Sequence, residues 1–570
     1  MCIRDRFKTI KGQVVEPKMF NSIKEARNYI QDYGRVNNRP IYGMQQFAYA
    51  FINEEYPERE FDVNELTVFN FDIETKSDEG FPNIGEADKE ILSIAVRCKG
   101  QSTIFGLGDY QPSGNDRYIK CASETDLLIK FVDLWVKYNP EIVTGWNIEL
   151  FDIPYTLNRI RKRVSQEQVN RLSPWGIVKE RTIPTAQNQA LGRDAPPNAK
   201  EIVGVTIFDY MNLYKKFTYS QKESYALDFI GQEELGEKKL DYSEYGTLNE
   251  LYKQDYQKFL DYNIKDVVLV ERLDDKMKLI EQACTIAYDA GVNLVDALTS
   301  VRMWDVIIHN YLLAKNTVVP PKERPEKDFQ VEGAYVKDPQ VGLHNWVVSF
   351  DLNSLYPHLI MQYNISPETL VSQNKVPNMK VDKLLSKEFD GSRLDKHHTM
   401  TPNGAIFRTD KKGFLPQLME DMYNTRTEYK KKMLEAKQEY ENTKDKKLLK
   451  DISRYNNIQM AKKISLNSAY GAIGNAYFRY YNLLIAEGIT TSGQLSIRWI
   501  ESALNRYLNK VCGTTKEDFV VASDTDSVYI TFDRLVNSAV KKGHDTTKII
   551  NALDSFAKDK IEPFIDKSYS

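Results

Sequence analysis

Two aspartates stand two positions apart in an otherwise apolar stretch near the end of the sequence. The stretch VVASDTDSVYI, residues 520–530, carries them as Asp524 and Asp526. If the stretch is one strand, alternate side chains point to one face, and two like charges share that face. Burying them together is costly unless a cation neutralises them. The alternative is a solvated DTDS turn of a hairpin, with no chemistry of its own.

A second apolar stretch, WVVSFD, ends at Asp351 and is followed by a turn. An acid pair alone is weak evidence, because the chain has 80 acidic residues among 570 and many such pairs arise by chance. Three carboxylates from two strands are more specific. They suit Mg²⁺, which prefers oxygen ligands and takes substrate phosphates as further ligands. The sequence therefore predicts a metal site at Asp351, Asp524 and Asp526.

The first half of the chain contains a second acidic set. FNFDIET places Asp72 and Glu74 at alternate positions of a predicted strand, on one face. Asp152 follows a predicted strand end in GWNIELFDIPY. In YNIKD, Tyr262 and Asp266 lie four residues apart on one face of a predicted helix. Each acid alone is more often structural than catalytic, but four in this order with a tyrosine form a much more specific set.

The elements that must position these side chains follow from the hydrophobic pattern. From residue 67, short apolar strands alternate with amphipathic helices, which predicts an α/β region with a mostly buried sheet. The Pro-rich segment TVVPPKERPEKD, residues 317–328, predicts a linker. Residues 415–475 have no proline after Pro416 and no glycine before Gly471, so they predict two long helices folded back at NTKDKK. The predicted fold class is multidomain α/β and α+β.

Composition and charge narrow the class of protein. A formal net charge of −3 argues against a globally basic nucleic-acid binder, but a local basic groove remains possible because salt screens exposed charges over about 8 Å. The five cysteines lie far apart without CxxC spacing, which supports neither a zinc site nor a disulfide framework. The sequence has no long apolar run, so we expect no membrane segment and a cytoplasmic protein, in the host-cell cytoplasm if viral.

The order of the motifs resembles that of one known family. FDIET, GWNIELFDIPY and YNIKD resemble the three exonuclease motifs of the DEDD nucleases, in the subtype with a tyrosine. SFDLNSLYP, KKISLNSAYG and SDTDS resemble the three polymerase motifs of the family B DNA polymerases. Connecting text such as NLYKKFTYSQKESYALDFI is most similar to the polymerases of T-even-like bacteriophages. The resemblance covers nearly the whole chain.

The resemblance implies a replicative DNA polymerase with a 3′→5′ proofreading exonuclease. The expected architecture is an RNase H-like (DEDDy) exonuclease domain, a right-hand polymerase palm and two-helix fingers. Each active site is expected to hold two Mg²⁺ ions, for which Mn²⁺ can substitute. In the palm the implied direct ligands are Asp351, the Leu352 carbonyl and Asp526, while Asp524 tunes the site from close by.

In the nuclease, the implied metal ligands are the four acids of the second set: Asp72, Glu74, Asp152 and Asp266. Tyr262 is expected to orient the attacking water. The implied partners are primer-template DNA, dNTPs, single-stranded DNA at the nuclease site and a sliding clamp. The clamp contact is expected from a C-terminal segment beyond this chain.

The resemblance also implies residues that bind the triphosphate. Three cations on the two long helices are expected to do so: Arg426, Lys430 and Lys463. Taken alone, a Lys-rich helix is better explained as a solvated charged face. The match of this segment to the family motif favours nucleotide binding instead. Ser354 and Leu355 are expected to offer backbone N–H groups to the phosphates.

Sugar and base contacts are implied by the same motifs. Tyr356 is expected to lie under the deoxyribose and to leave no room for a 2′-hydroxyl, although the residue alone would be read as core packing. Tyr470 and Gly471 are expected beneath the nascent base pair, and Asn467 belongs to the same motif. Ala522 and Ser523 stand where many relatives have Tyr-Gly, a change expected to alter packing more than metal binding.

The motifs divide the chain into predicted domains. These are an N-terminal domain 1–66, an exonuclease domain 67–278, a helical return or linker 279–321, palm 322–412, fingers 413–474 and palm 475–570. The chain stops soon after the last motif, so we expect it to be a fragment that lacks the thumb and retains mainly exonuclease activity. Residues 1–6 match nothing in the family.

The sequence leaves three alternative functions to consider. If the protein were a stand-alone DEDD exonuclease, residues 322–570 would have no function. An inactive polymerase-like scaffold subunit would be expected to lose acidic ligands, whereas each one is present here. A protein-primed polymerase shares the motifs, but the long N-terminal region and the connecting text argue against it.

Overall fold

Two units, one continuous in sequence and one split, make up the structure, which is a computed structural model. The continuous unit is Glu58–Thr299, and the split unit combines Met1–Pro57 with Ser300–Ser570. The structure describes residues 7–34, 36, 40–59, 61–76, 80, 82–182, 198–218, 221–322, 331–389, 391, 394–540 and 545–569. Residues 1–6 and positions 323–328 of the predicted linker lie outside this set. The predicted domain boundaries remain predictions.

The split unit begins with a short hairpin and two helices. They are β1 (Phe7–Thr9), β2 (Val14–Val15), α1 (Ile23–Tyr33) and α2 (Phe47–Glu55). The Ser22 hydroxyl accepts from the Glu25 backbone N–H and caps α1, which satisfies one of the donors left free at a helix start. β1 also pairs in parallel with a strand at Thr317–Val318. The two separate pieces of the split unit therefore share one small sheet.

A six-stranded mixed sheet forms the centre of the continuous unit. The strands of this unit are β3 (Val68–Thr75), β4 (Ile91–Cys98), β5 (Gln101–Gly106), β6 (Arg117–Lys120), β7 (Ile142–Gly145), β8 (Val178–Thr182), β9 (Asn198–Ile202) and β10 (Thr206–Asp209). The sheet order is β10-β7-β3-β4-β5-β6, and β8 and β9 pair separately. All but one residue of β4 is buried, as expected for a strand covered on both faces.

Helices complete the continuous unit. They are α3 (Glu124–Tyr138), α4 (Asp152–Arg163), α5 (Gln166–Asn170), α6 (Tyr210–Phe217), α7 (Leu227–Leu235), α8 (Leu248–Gln254), α9 (Tyr256–Met277) and α10 (Leu279–Ala290). The core is rich in aromatic rings, and Phe69 of β3 packs edge-on to Trp135 of α3 at 5.2 Å. A buried ion pair joins α4 to α3, with Arg159 Nε donating to Glu124 Oε1 at 2.6 Å and Nη2 to Oε2 at 2.7 Å.

The second piece of the split unit is built around a four-stranded antiparallel sheet. Its elements are α11 (Ser300–Leu313), β11 (Thr317–Val318), β12 (Val336–Lys337), β13 (Val347–Asp351), α12 (Leu355–Gln362), α13 (Val381–Leu385), β14 (His398–Met400), β15 (Ile406–Arg408), α14 (Phe414–Thr443), α15 (Leu448–Ile473), α16 (Leu483–Cys512), β16 (Val520–Asp524), β17 (Ser527–Thr531), α17 (Asp533–Val540), α18 (Thr546–Phe556) and α19 (Glu562–Tyr569). The sheet order is β12-β16-β17-β13. Apolar residues of α16, including Ile497 and Leu504, share a core with Val528 and Ile530 of β17.

The two long helices α14 and α15 confirm the predicted helical pair. Lys444 ends α14 in the left-handed region, with φ 54°, and the chain reverses before α15 begins at Leu448. The rings of Tyr429 and Tyr455 meet between the two helices at 5.9 Å. The mixed α/β fold class is thus as predicted. Among the described residues, no helix is both long and apolar enough to cross a membrane.

Candidate active sites

The first site lies on the central strand of the continuous unit. Asp72 and Glu74 occupy alternate positions of β3, so both side chains leave the same face of the strand. Helix α9 brings Asp266 to them, and carboxylate oxygens of the three residues lie within 4.8 Å of one another. Tyr262 is one turn earlier on α9 and is buried. The structure therefore brings together most of the second acidic set.

Asp152 joins the site from another element. It is the first residue of α4 and follows the end of β7 at Gly145, and its Oδ1 accepts from the Ile73 backbone N–H at 3.2 Å. This bond attaches the start of α4 to β3 between Asp72 and Glu74. Asp152 lies outside the group of three carboxylates that approach most closely. The position of Asp152 next to these three carboxylates is compatible with a site that holds more than one cation.

The carboxyl groups of this site have raised pKa values. Burial, followed by the neighbouring carboxylates, raises the pKa of Asp72 well above its usual value. Burial and then Asp266 raise the pKa of Glu74 to about 8. Burial raises the pKa of Asp152 to about 7 although two backbone N–H groups oppose the shift. A cation at this position would lower all three pKa values by favouring the charged forms.

Sequence reasoning missed a lysine in this site. Lys239 Nζ donates to Asp266 Oδ2 at 2.5 Å and to the Tyr262 hydroxyl at 3.2 Å. Burial opposes its charge, but Asp266, Tyr262 and Asp72 together outweigh burial and raise the pKa of the ammonium group. Burial raises the pKa of Tyr262 as well. Lys239 lies in the polar stretch after α7, where no spacing in the sequence distinguishes it from its neighbour Lys238.

The donor set of the site fits a hard divalent cation. Asp266 Oδ1 is buried and has no hydrogen-bond partner. Asp72 Oδ2 accepts from Asn263 Nδ2 at 2.7 Å, and Asn263 Oδ1 in turn accepts from the Ser93 hydroxyl at 2.9 Å. Asp152 and Asp266 are buried, Asp72 and Glu74 are half-buried, and Lys239 is the ammonium group that contacts them among the described residues. The carboxylate oxygens therefore exceed the positive charge available to them. Oxygen-rich sites of this kind suit Mg²⁺ or Mn²⁺.

The second site lies on the sheet of the split unit, and its hairpin corrects one prediction. The stretch VVASDTDSVYI is not one strand, because β16 ends at Asp524 and β17 begins at Ser527. Asp524 pairs with Ser527, so Thr525 and Asp526 are the two turn residues. Thr525 has φ 53°, and the Asp526 backbone N–H donates to Asp524 O at 2.6 Å. The alternative of a DTDS turn is therefore correct for the backbone.

The turn is nevertheless close to the predicted third carboxylate. β13 pairs with β17 so that Asp351 lies opposite Ser527, whose hydroxyl donates to Asp351 Oδ1 at 3.3 Å. The Leu352 N–H donates to the Asp526 carbonyl at 2.8 Å. Burial, then Asp351 and Asp524, raise the pKa of Asp526. Among the described residues, these acids do not form a cluster as tight as the first one.

Some of the predicted nucleotide-binding residues lie near this turn. Ser354 has φ 53° at the start of α12, and Arg426 Nη1 of α14 lies 3.3 Å from the Ser354 hydroxyl and 3.3 Å from Asn353 Oδ1. The rings of Tyr356 and Tyr470 meet at 4.9 Å. Burial raises the pKa of Tyr356 to about 12, and Tyr470, Asp526 and Asp524 contribute to the shift. The structure thus joins α12, α14 and α15 beside the hairpin.

The remaining predicted residues are placed on the long helices. Lys430 is exposed one turn after Arg426 on α14. α15 carries Lys463, which is half-buried, and Asn467, which is exposed. Gly471 is also exposed, and a Cβ added there would meet nothing within 4 Å. Leu355 is buried in the first turn of α12. Their contacts with a nucleotide remain predictions.

Two separate oxygen-rich sites, one in each unit, are typical of an enzyme that both builds and degrades a phosphodiester chain. Comparison with known proteins agrees. The family model for DNA polymerase family B matches residues 294–569, and that for the family B exonuclease domain matches residues 22–230. The DNA-directed DNA polymerase of Escherichia phage RB69 is 30% identical over 98% of this chain and 68% of that protein. That of Enterobacteria phage T4 is 31% identical over 99% of this chain and 69% of that protein.

A more distant relative, the DNA polymerase delta catalytic subunit of Candida albicans, is 26% identical over 85% of this chain and 46% of its own length. The chain belongs to the family B DNA polymerases. Its activity is DNA-directed DNA synthesis with exonucleolytic proofreading. The polymerase match to residues 294–569 removes the stand-alone exonuclease from consideration.

Proposed function

We propose that the hairpin and the end of β13 form the polymerisation site for phage DNA replication. Asp351, the Leu352 carbonyl and Asp526 would hold two Mg²⁺ ions, and Asp524 would strengthen the local negative field. When bound, the ions would lower the pKa of the primer 3′-hydroxyl and offset charge on the dNTP phosphates. The turn supports this role because it exposes Asp524 beside Asp526 and keeps Asp351 within reach of Ser527.

The residues around the hairpin would bind and orient the dNTP. Arg426, Lys430 and Lys463 would bind the triphosphate as cations, and the backbone N–H groups of Ser354 and Leu355 would donate to it. The left-handed conformation of Ser354 supports such an anion-binding turn. The protein's contribution to phosphoryl transfer is mainly this positioning and charge stabilisation.

The sugar and the base would be recognised by aromatic and small residues. Tyr356 would lie under the deoxyribose and exclude a 2′-hydroxyl. Tyr470 and Gly471 would pack under the nascent base pair, with Asn467 beside them. The contact between the rings of Tyr356 and Tyr470 supports one continuous floor for the nucleotide.

In the nuclease site, Asp72, Glu74, Asp152 and Asp266 would hold two Mg²⁺ ions. Tyr262 would orient the water that attacks the terminal phosphodiester of single-stranded DNA. The hydrogen bond from Lys239 supports a fixed position for the Tyr262 hydroxyl, and the same lysine partly neutralises Asp266. The single observation that best supports the nuclease site is the approach of carboxylate oxygens of Asp72, Glu74 and Asp266 within 4.8 Å of one another, with Asp266 Oδ1 buried and without a hydrogen-bond partner.

The proposal also covers a protein partner and the cellular compartment in which the enzyme acts. A sliding clamp remains a predicted partner on the basis of the family alone. The phage relatives support a place of action in the host cell, and we propose its cytoplasm.

Separation of the two activities tests the assignment. We predict that Asp526→Asn lowers nucleotide addition to a primer at least about 100-fold, since loss of even an outer-shell partner of a metal ligand costs up to that much. Degradation of single-stranded DNA should stay unchanged in this variant. Asp72→Asn combined with Glu74→Gln should have the reverse effect. Primer-extension and primer-degradation gels measure both activities.

The matched control for the palm is Asp338→Asn, which removes an exposed carboxylate beside β12. It should leave both activities unchanged. If Asp526→Asn or the nuclease double variant folds normally and loses both activities, the proposed division into two sites is incorrect.

A further inference from the structure

A glycine in the middle of a long helix lies against the proposed sugar-contacting residue. Gly493 is buried within the 30-residue helix α16. Glycine is the poorest helix former after proline, because it loses the most backbone freedom on folding. Its φ is not positive, so the backbone conformation does not require glycine here. Another feature of the structure must account for it.

The ring of Tyr356 occupies the space that a side chain would need. A Cβ built on Gly493 would lie 2.8 Å from Tyr356 Cε1 and 3.6 Å from its Cδ1. Ordinary van der Waals contact for such an atom begins at 3.4 Å. Even the smallest side chain would therefore require the ring to move or the two helices to separate. Only glycine lets Tyr356 lie this close to α16.

The surroundings of the ring limit how it can respond. Tyr356 also contacts the ring of Tyr470, with the centroids 4.9 Å apart. Its backbone is in the first turn of α12, and the same turn approaches α16 again through Leu355, whose Cδ2 would lie 3.8 Å from the added Cβ. A displaced ring therefore has little room toward α16 or Tyr470. The ring is half-buried, and Asp524 and Asp526 of the hairpin are close enough to raise the pKa of Tyr356.

We propose that Gly493 is a specificity-determining positioning residue: it sets the depth of the Tyr356 ring and thereby the space offered to the sugar of the incoming nucleoside triphosphate. The inference rests on the proposed role of Tyr356 as the residue under the deoxyribose. Gly493 itself makes no contact with substrate in this account. It acts by letting the ring lie back against α16, so that a deoxyribose fits and a 2′-hydroxyl does not.

The first test is the substitution Gly493→Ala, which adds only the methyl group. The ring would be pushed into the sugar space, so KM for dNTP should rise by about tenfold, less than the roughly 100-fold loss that a misplacement of about 1 Å can cause. The kcat should change less, and discrimination against rNTP should not relax. Tyr356→Ala should relax that discrimination. Single-nucleotide primer extension with dNTP and rNTP, over a range of concentrations, gives these values.

A double-mutant cycle shows whether the effect passes through the ring. In the Tyr356→Ala background no ring remains to be displaced, so adding Gly493→Ala should change KM less than about twofold. In the Tyr356→Phe background the ring carbons remain, and the full increase in KM should return. Persistence of the full increase in the Tyr356→Ala background would overturn the role of Gly493 while leaving that of Tyr356 intact.

Failure of the underlying proposal gives a different result. If Tyr356→Ala does not change discrimination between dNTP and rNTP, the sugar-contact role of Tyr356 is incorrect, whatever Gly493→Ala does. The matched control is Gly488→Ala, five residues earlier on α16. The three atoms nearest to its added Cβ would belong to Thr401 and Asn403, with Thr401 Oγ1 at 3.2 Å, and none would belong to Tyr356. This control should leave KM for dNTP unchanged; a rise equal to that of Gly493→Ala would overturn the inference.

Folding of the variants is followed by thermal unfolding and by degradation of single-stranded DNA in the continuous unit. If Gly493→Ala unfolds the split unit, the folding of the double variant with Tyr356→Ala shows whether the ring of Tyr356 is the cause. Restored folding in the double variant would identify the ring as the obstacle and support the inference. Continued unfolding would show that another contact requires the glycine, and the inference would be incorrect.

Discussion

Ionisation controls what the nuclease carboxyl groups can bind. With Glu74 at a pKa of about 8 and Asp152 at about 7, both groups hold protons over much of the neutral range when no cation is present. A divalent ion must displace these protons, because it binds the deprotonated carboxylate. Affinity for the ion is therefore coupled to pH at each of these residues.

This coupling predicts how metal-free stability depends on pH. A carboxyl group with a raised pKa binds more protons in the folded than in the unfolded state, so stability falls as pH rises between the two pKa values. For Glu74 the interval runs from 4.5 to about 8, and for Asp152 from 3.8 to about 7. We predict that the unfolding temperature of the continuous unit falls with pH across this range in EDTA. Added Mg²⁺ should reverse the loss, most strongly above pH 7.

Calorimetry at several pH values with EDTA or Mg²⁺ provides the measurement. Glu74→Gln removes a carboxyl group whose pKa is raised to about 8 and should flatten the dependence on pH. A metal-free stability that rises steadily from pH 5 to 8, in the wild-type chain and in Glu74→Gln alike, would contradict the proposed burial of these acids. Lys239→Met serves as a further comparison, since loss of its charge should steepen the dependence.

At the level of elements, α9 is held on the sheet by side chains that also orient the site. Asn70 Nδ2 of β3 donates to the Val267 carbonyl at 2.7 Å. Asn263 is fully buried and bridges Ser93 of β4 to Asp72 of β3. One residue of α9 thus connects two strands and fixes a carboxylate oxygen. The helix positions a proposed metal ligand that belongs to another element.

We predict that Asn263→Ala weakens Mg²⁺ binding and nuclease activity by about 10- to 100-fold, the usual cost of losing a residue that orients a metal ligand. Asp72 would lose its donor and adopt more than one orientation. Polymerisation should not change. Activity titrated with Mg²⁺ shows whether high metal concentration restores the rate. Asn158→Ala is the control, because it removes a bond to the Ile84 carbonyl in the same unit; an equal loss there would point to general destabilisation.

The sequence predicted the elements better than the contacts between them. The periodicity of β3 and α9 placed Asp72, Glu74, Tyr262 and Asp266 correctly, because side-chain direction follows directly from strand and helix geometry. For the SDTDS segment the sequence left two interpretations, a continuous strand and a DTDS turn, because local pattern cannot separate a strand from a tight hairpin when apolar residues flank the segment on both sides. Lys239 and Gly493 were missed for another reason. Each acquires its role only through tertiary contact with a residue far away in sequence.

At the scale of the whole chain, the two units differ because one is a single continuous segment and the other combines two separate segments. The continuous unit contains its own aromatic core and a second apolar cluster that includes Phe259 and Val267. Both clusters use only residues of Glu58–Thr299. The split unit needs chain from both sides of that segment, since β1 pairs with β11. A long segment with a complete core behaves as an inserted domain.

We therefore predict that the fragment Glu58–Thr299 folds alone and degrades single-stranded DNA in the presence of Mg²⁺. It contains all four proposed nuclease acids, Tyr262, Lys239 and Asn263, and it contains none of the proposed polymerisation residues. Its thermal unfolding should be a single transition that Mg²⁺ shifts upward, and it should add no nucleotides to a primer. The same fragment with Asp72→Asn and Glu74→Gln should fold but lose both the activity and the Mg²⁺ shift. A folded but inactive wild-type fragment would show that the split unit supplies part of the nuclease site, whereas an unfolded one would show that its core is incomplete.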